Sequence, residues 1–267
     1  MAARAPRRSP VASTPPPAPR RRGTLVFLGL LALLGFAAAT LPASLAARFL
    51  QGQAVSVTSW SGTIWSGLAQ GVAASGVPIG DLRWRLHPAA LLRLRVAADL
   101  ELTRPDGRAT ARVSAGGRES VELTNVDLEL PLSAFARSPS FGWAGRVQGH
   151  LDAVTIANGW LTAVRGQLKL GGVTSPAPLS APLGDFDLAF PDPRTAPTDA
   201  STVTARVTGG TPLSVDASLS VGAGRSFEIQ GTVAGDGEVP PSLQRVLGAL
   251  GPPDAAGRRP FGASGTF

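Results

Sequence analysis

The chain has 267 residues, 43% of them hydrophobic, enough for one all-β domain of about 200 residues plus an appendage. It contains no cysteine, which excludes disulfides, thiolate metal sites and thiol nucleophiles. Its net charge of +7 is concentrated at the start: Arg4, Arg7, Arg8, Arg20, Arg21 and Arg22 precede any acid, and removing those six from the 25 leaves 19 basic against 18 acidic residues, too balanced for a nucleic-acid surface.

Residues 1–22 also carry six prolines and no apolar face, so they are expected to form a disordered, solvated arm beside anionic lipid. An SH3-like ligand is the other reading of its prolines. Residues 23–47 then hold no charge, and 24–46 are long enough for a transmembrane helix with Pro42 near its outer interface. Three arginines border one end and only Arg48 the other, which places the N-terminus in the cytoplasm and everything after residue 47 across the membrane. A cleavable signal peptide is the competing reading, because Ala37-Ala38-Ala39 and Ser44-Leu45-Ala46 are acceptable cleavage patterns. The uncharged stretch is longer than the apolar region of a usual signal, which favours the anchor. Arg21-Arg22 is a poor match to a twin-arginine signal.

The next informative stretch holds three of the five tryptophans. In residues 60–67, Trp60 and Trp65 lie among Gly62, Thr63 and Gly67, a composition expected at a tight packing corner between strands. Residues 81–86 alternate polar and apolar side chains around Leu82 and Trp84, and Pro88 opens a helical turn that ends in Leu91 and Leu92.

Beyond this point the period is two. Leu92, Leu94, Val96, Ala98, Leu100 and Leu102 alternate with polar positions, predicting an eleven-residue strand. Strands follow at 107–114, 145–157, 161–171, 184–190, 201–208, 213–221 and 226–234, with Gly116-Gly117, Gly171-Gly172, Gly209-Gly210 and residues 222–224 expected as turns. Between the first two of these turns, Val121 and Leu123 set one phase and Val126, Leu128 and Leu130 the other, which predicts a β-bulge near Asn125. The clearest helix is 242–250, where Leu243, Val246, Leu247 and Leu250 form a stripe between two proline pairs. After it, Gly251, Asp254, Gly257 and Arg258 fit an Asx-type turn, with Arg258 available to pair with Asp254.

Two segments of the chain together resemble the type II secretion system protein N family. The first combines Ser61-Gly62-Thr63-Ile64-Trp65 and Gly67 with Leu82-Arg83-Trp84, Leu86, Pro88, Leu91 and Leu92; the second is the Leu247-Gly248 to Gly257-Arg258 stretch, followed by Gly265. Residues 104–240 carry no motif of that family. The resemblance implies a single-pass inner-membrane subunit of the secretion platform, with its domain at 48–267 in the periplasm. It further implies platform components C, L and M as partners, and Trp60, Trp65 and Trp84 as core or interface anchors.

The fold expected is all-β: an antiparallel sheet, curled or folded over, with one or two short helices. Strands with one apolar face exceed what such helices can cover, so the sheet must curl, pack on a second sheet, or lend its face to a partner or lipid. A folded-over sheet with an apolar trough resembles the lipid-handling AsmA-like proteins, whose long alternating strands look similar, and a lipid-binding or lipid-transfer protein anchored in the inner membrane is the alternative which that resemblance implies. An outer-membrane barrel is disfavoured, because the chain has no tyrosine and 10 phenylalanines with which to build aromatic girdles.

No nucleophile elbow, phosphate loop or zinc-protease motif occurs, so neither enzymatic activity nor a cofactor, metal or small-molecule substrate is expected. His87 and His150 read as sheet-surface groups. The pairs Asp99/Glu101, Asp127/Glu129 and Asp185/Asp187 each share one strand face, which fits paired-carboxylate chemistry in principle and a solvated face more simply.

Overall fold

The computed structural model describes residues 40–44, 55–74, 76–117, 120–135, 142–177, 179–191, 202–222, 226–237 and 239–266. The arm at 1–22 and, of the expected span, residues 24–39 and 45–46 lie outside these. Pro42 makes an isolated antiparallel bridge to Thr63, and the Ala43 N–H donates to the Gly62 carbonyl at 3.1 Å, so no helix runs through residues 40–43. Proline accounts for this: it supplies no N–H and clashes with the preceding turn. Among the described residues no helix is long and apolar enough to cross a membrane.

Strands β1 (Val55–Ser56), β2 (Ser59–Gly62), β3 (Ser66–Ala74), β4 (Val77–Leu86), β5 (Val96–Arg104), β6 (Gly107–Ala115) and β7 (Ser120–Pro131) lead to a 3-10 turn, Leu132–Phe135. Then come β8 (Ala144–Ala157), β9 (Trp160–Thr174), β10 (Pro182–Phe190), β11 (Thr202–Gly222), β12 (Ser226–Gly235) and β13 (Arg259–Thr266). Helix α1 (Pro88–Leu91) joins β4 to β5, and α2 (Pro241–Ala249) joins β12 to β13. Among the described residues these 13 strands form one antiparallel sheet in which β3 to β13 lie in chain order; β1 and β2 both pair with β3, and β13 closes the other end.

Alternation sorts the side chains onto two faces. Trp84 stands opposite Leu100, Leu100 opposite Ala111, Leu130 opposite Val147, and Leu168 opposite Leu188, so apolar residues continue across the sheet. Such cross-strand pairs contribute about 0.2–1 kcal/mol each. The sheet curls around this face: Val126, Leu151, Val164 and Val203, from β7, β8, β9 and β11, share one buried cluster. A second cluster forms where α2 lays Leu243 and Leu247 on Ala181, Leu213 and Val233. Curling and one helix leave much of the face only half-buried, including Leu82, Leu102, Leu188, Leu219 and Ile229.

The register reproduces the bulge near Asn125: Thr110 faces Asp127 but Arg112 faces Thr124, and Asn125 has φ 50°. β11 contains both strands expected at 201–208 and 213–221. A straight strand would separate residues 206 and 216 by about 33 Å. Arg206 Nη2 instead lies 2.9 Å from Asp216 Oδ2, so the chain doubles back at residues 209–212, its first half pairing with β10 and its second with β12.

Two expectations fail. Gly171-Gly172 is not a turn: β9 continues to Thr174, and the register against β8 and β10 shifts there as a bulge, with Asp185 Oδ1 accepting the Gly172 N–H at 2.7 Å. The strand expected at 92–102 starts only at Val96. Residues 92–95 form a turn with Leu94 at φ 55°, and Leu92 and Leu94 stand 90% and 92% exposed instead of facing the core.

Candidate functional site

The tryptophan corner is built from β2, β3 and the tight turn joining them. Gly62 at φ 87° enters that turn, the Thr63 N–H donates to Ser66 O at 2.8 Å, and the Ser66 N–H donates to Thr63 Oγ1 at 3.2 Å. The register sets Gly67 directly opposite Trp84. A side chain at Gly67 would strike the Trp84 ring and come within 2.7 Å of the Ser61 carbonyl, so glycine makes room for the indole. Trp84 packs edge-to-face on Trp60, with centroids 5.9 Å apart at 68°, and donates its Nε1–H to Ile64 O at 2.9 Å. The indole thus satisfies its only polar group while offering its rings to the neighbour. The Trp65 carbonyl accepts the Leu86 N–H at 2.7 Å and ties the corner to the end of β4.

Pro88 then opens α1, as the sequence predicts, but the segment it leads into points outward. Leu91 is 44% exposed and Val96 49%, flanking the fully projecting Leu92 and Leu94. Of the packing and turn residues that the sequence singles out, Trp60, Gly62, Thr63, Trp65, Gly67, Leu82, Trp84, Pro88, Leu91 and Leu92 fall in this corner and its extension. The remaining four, Gly251, Asp254, Gly257 and Arg258, lie between α2 and β13, at the other end of the strand order.

In this second group, Asp254 Oδ1 accepts the N–H groups of Ala256 at 2.9 Å and Arg258 at 2.8 Å, and Gly257 sits at φ 76°. The Arg258 N–H bond, helped by the Ala256 N–H and the Arg258 guanidinium, holds the Asp254 carboxyl below its ordinary range. Gly251 follows the helix at φ 97°, and its carbonyl accepts from Arg259 Nε at 3.1 Å. These bonds shape the entry into β13. Nothing in either group is arranged for chemistry.

The polar face beside the tryptophan corner has an open depression of about 780 Å³, lined by Ser61, Arg83, Arg85, Asp99, Glu101, Arg112 and Asp127 among others. Its charges are engaged with one another. Asp99 accepts from Arg112 Nε at 2.8 Å and contacts His87 Nε2 at 2.8 Å, and these partners, Arg112 first, hold its carboxyl below the ordinary range against the opposing effect of burial. It stays ionised at neutral pH and is unsuited to donate a proton. His150 Nδ1 lies 2.7 Å from Asp127, Arg146 3.2 Å from Glu129 and Lys169 3.7 Å from Asp187, so Asp127, Glu129 and Asp187 each meet a basic side chain of a neighbouring strand. Such exposed pairs are individually weak. Among the described residues no group of three His, Cys, Asp or Glu side chains could hold a metal ion.

The exposed Leu91, Leu92, Leu94 and Val96 were not legible as a surface feature. Their strict alternation with Arg93 and Arg95 imitates a strand, and the sole sequence sign of a turn there is Pro88, four residues before Leu92.

Comparison with known proteins gives the same direction throughout the chain. Residues 53–262 match the family described as Type II secretion system (T2SS), protein N. The Type II secretion system protein N of Aeromonas hydrophila is 27% identical over 256 residues, covering 91% of this chain and 97% of that protein. Its namesake in Vibrio cholerae serotype O1 is 28% identical over 228 residues, covering 80% and 85%. No solved structure matches. With 53–262 matched and the tryptophan corner inside that range, the chain belongs to the type II secretion system protein N family.

Proposed function

We infer that this chain is a bitopic inner-membrane subunit that scaffolds the type II secretion platform. The span at 24–46 anchors it, with Pro42 near its outer interface, the arm at 1–22 lies in the cytoplasm, and the β-domain projects into the periplasm. Components C, L and M are its proposed partners. Support comes from the family membership, from the charge asymmetry around the uncharged segment, and from a sheet that ends in a strand with a free edge. That last observation carries the reading: among the described residues β13 pairs with β12 alone, which suits strand addition by another subunit along its outer edge.

A second reading has its own observation. The apolar face stays half-open from Leu82 and Trp84 on β4 to Ile229 on β12, which suits an acyl chain as in lipid-handling proteins. Native mass spectrometry of the full chain, extracted in mild detergent from the cell that makes it, separates the two. Co-migrating platform subunits support the scaffold. Bound phospholipid without any secretion subunit overturns it in favour of lipid handling.

A further inference from the structure

We propose that the turn at residues 91–96 is a second membrane contact, dipping Leu91, Leu92 and Leu94 into the surface of an anionic bilayer while Arg93 and Arg95 bind lipid phosphates. The inference rests on the anchored orientation above and adds a site to it.

Four apolar side chains in six residues are solvent-facing, two of them almost completely. Burying leucine side chains of this size is favourable, so leaving two in water is costly unless something covers them. The intervening residues select the cover. Arg93 and Arg95 are exposed, and no acidic residue occurs from 82 to 98. Leucines set among arginines match the boundary between acyl chains and anionic headgroups, where apolar burial and electrostatic attraction act together. A platform domain with an apolar groove would not require the cations.

Placement gives the second line of argument. Pro42, near the outer interface of the proposed anchor, is bridged to Thr63. Thr63 belongs to the turn that contains Trp65, and the Trp65 carbonyl holds the Leu86 N–H at 2.7 Å, one residue before the His87 carbonyl that accepts from Ala90 at 3.0 Å in α1. The point where the chain enters the domain is thus tied through three short hydrogen-bonded steps to the base of the leucine turn. The register puts the neighbouring connections at the same end of the sheet: Val96 faces Ala115, Ser120 faces Ala157, and Ala157 faces Trp160. The leucine turn therefore lies at the end of the β-domain where Pro42 joins it.

The test uses the full chain in vesicles and exploits its lack of cysteine. Leu92→Cys, Leu94→Cys and, as a control on the polar face of β11, Ser218→Cys are each labelled with an environment-sensitive fluorophore, and circular dichroism checks the fold. The expected result is a blue shift at positions 92 and 94, with quenching by spin-labelled lipid that is stronger in phosphatidylglycerol than in phosphatidylcholine vesicles, and neither effect at 218. Arg93→Glu with Arg95→Glu should abolish the preference for phosphatidylglycerol. Emission at 92 and 94 equal to that at 218 overturns the proposal, as does a shift that appears only when platform subunits are added. An unchanged lipid preference in the double arginine variant overturns the role of the phosphates. Alkaline carbonate extraction of the same vesicles reads the anchor separately: release of the chain refutes the anchor, and the fluorescence at 92 and 94 still decides the turn.

Discussion

At the scale of single residues, the tryptophan corner depends on an exclusion as much as on contacts. Trp84 is accommodated because Gly67 opposite it has no side chain, and its hydrogen bond to Ile64 and edge contact with Trp60 follow from that vacancy. Gly67→Ala is therefore expected to destabilise the domain by about 1–3 kcal/mol, the usual cost of overpacking, in urea unfolding of the detergent-solubilised chain. Gly210→Ala is the matched control: an added methyl there meets nothing within 4 Å, and its unfolding midpoint should not move. Equal effects in the two variants would show that the Trp84 ring does not need the space. The motif residues were legible as a packing unit because tryptophan and glycine at that spacing have few structural uses. Their division of labour was not, since cross-strand register pairs Gly67 with a residue 17 positions away.

At the scale of elements, α2 is an amphipathic lid of which only half the stripe is used. Leu243 and Leu247 are buried at 2% and 8% exposure, whereas Val246 and Leu250 remain 42% and 36% exposed. Leu243→Ala should cost about 2–4 kcal/mol by leaving a cavity against Val233 and Leu213, and Val246→Ala less than about 0.5 kcal/mol. Comparable losses would mean that the helix packs on another side. The helix itself was readable from its proline brackets and stripe, and the bulge at Asn125 from a slip in phase, because both are local signals. The bulge at Gly171-Gly172 looked like a turn because paired glycines serve both, and only the neighbouring strands decide which. The start of β5 was misread for a related reason: Leu92 and Leu94 keep the alternation of a strand, while the conformation that breaks it, Leu94 at positive φ, leaves no mark in a non-glycine residue.

At the scale of the whole β-domain, an antiparallel sheet with one continuous apolar face is not fully closed on itself. Curling buries Val126, Leu151, Val164 and Val203, α2 covers a second patch, and what remains is a half-open face, an exposed leucine turn and the outer edge of β13. Open edges and partly covered apolar faces are liabilities in an isolated domain and binding surfaces in an assembly. The scaffold reading assigns the edge to a protein partner and the turn to lipid. Its most direct test is photocrosslinking in the cell that makes the chain, with the photoreactive residue replacing exposed Ser264 in the middle of β13. The account predicts covalent products with another subunit of the type II secretion platform. Products formed only with lipid, or none beyond the chain itself, would contradict it.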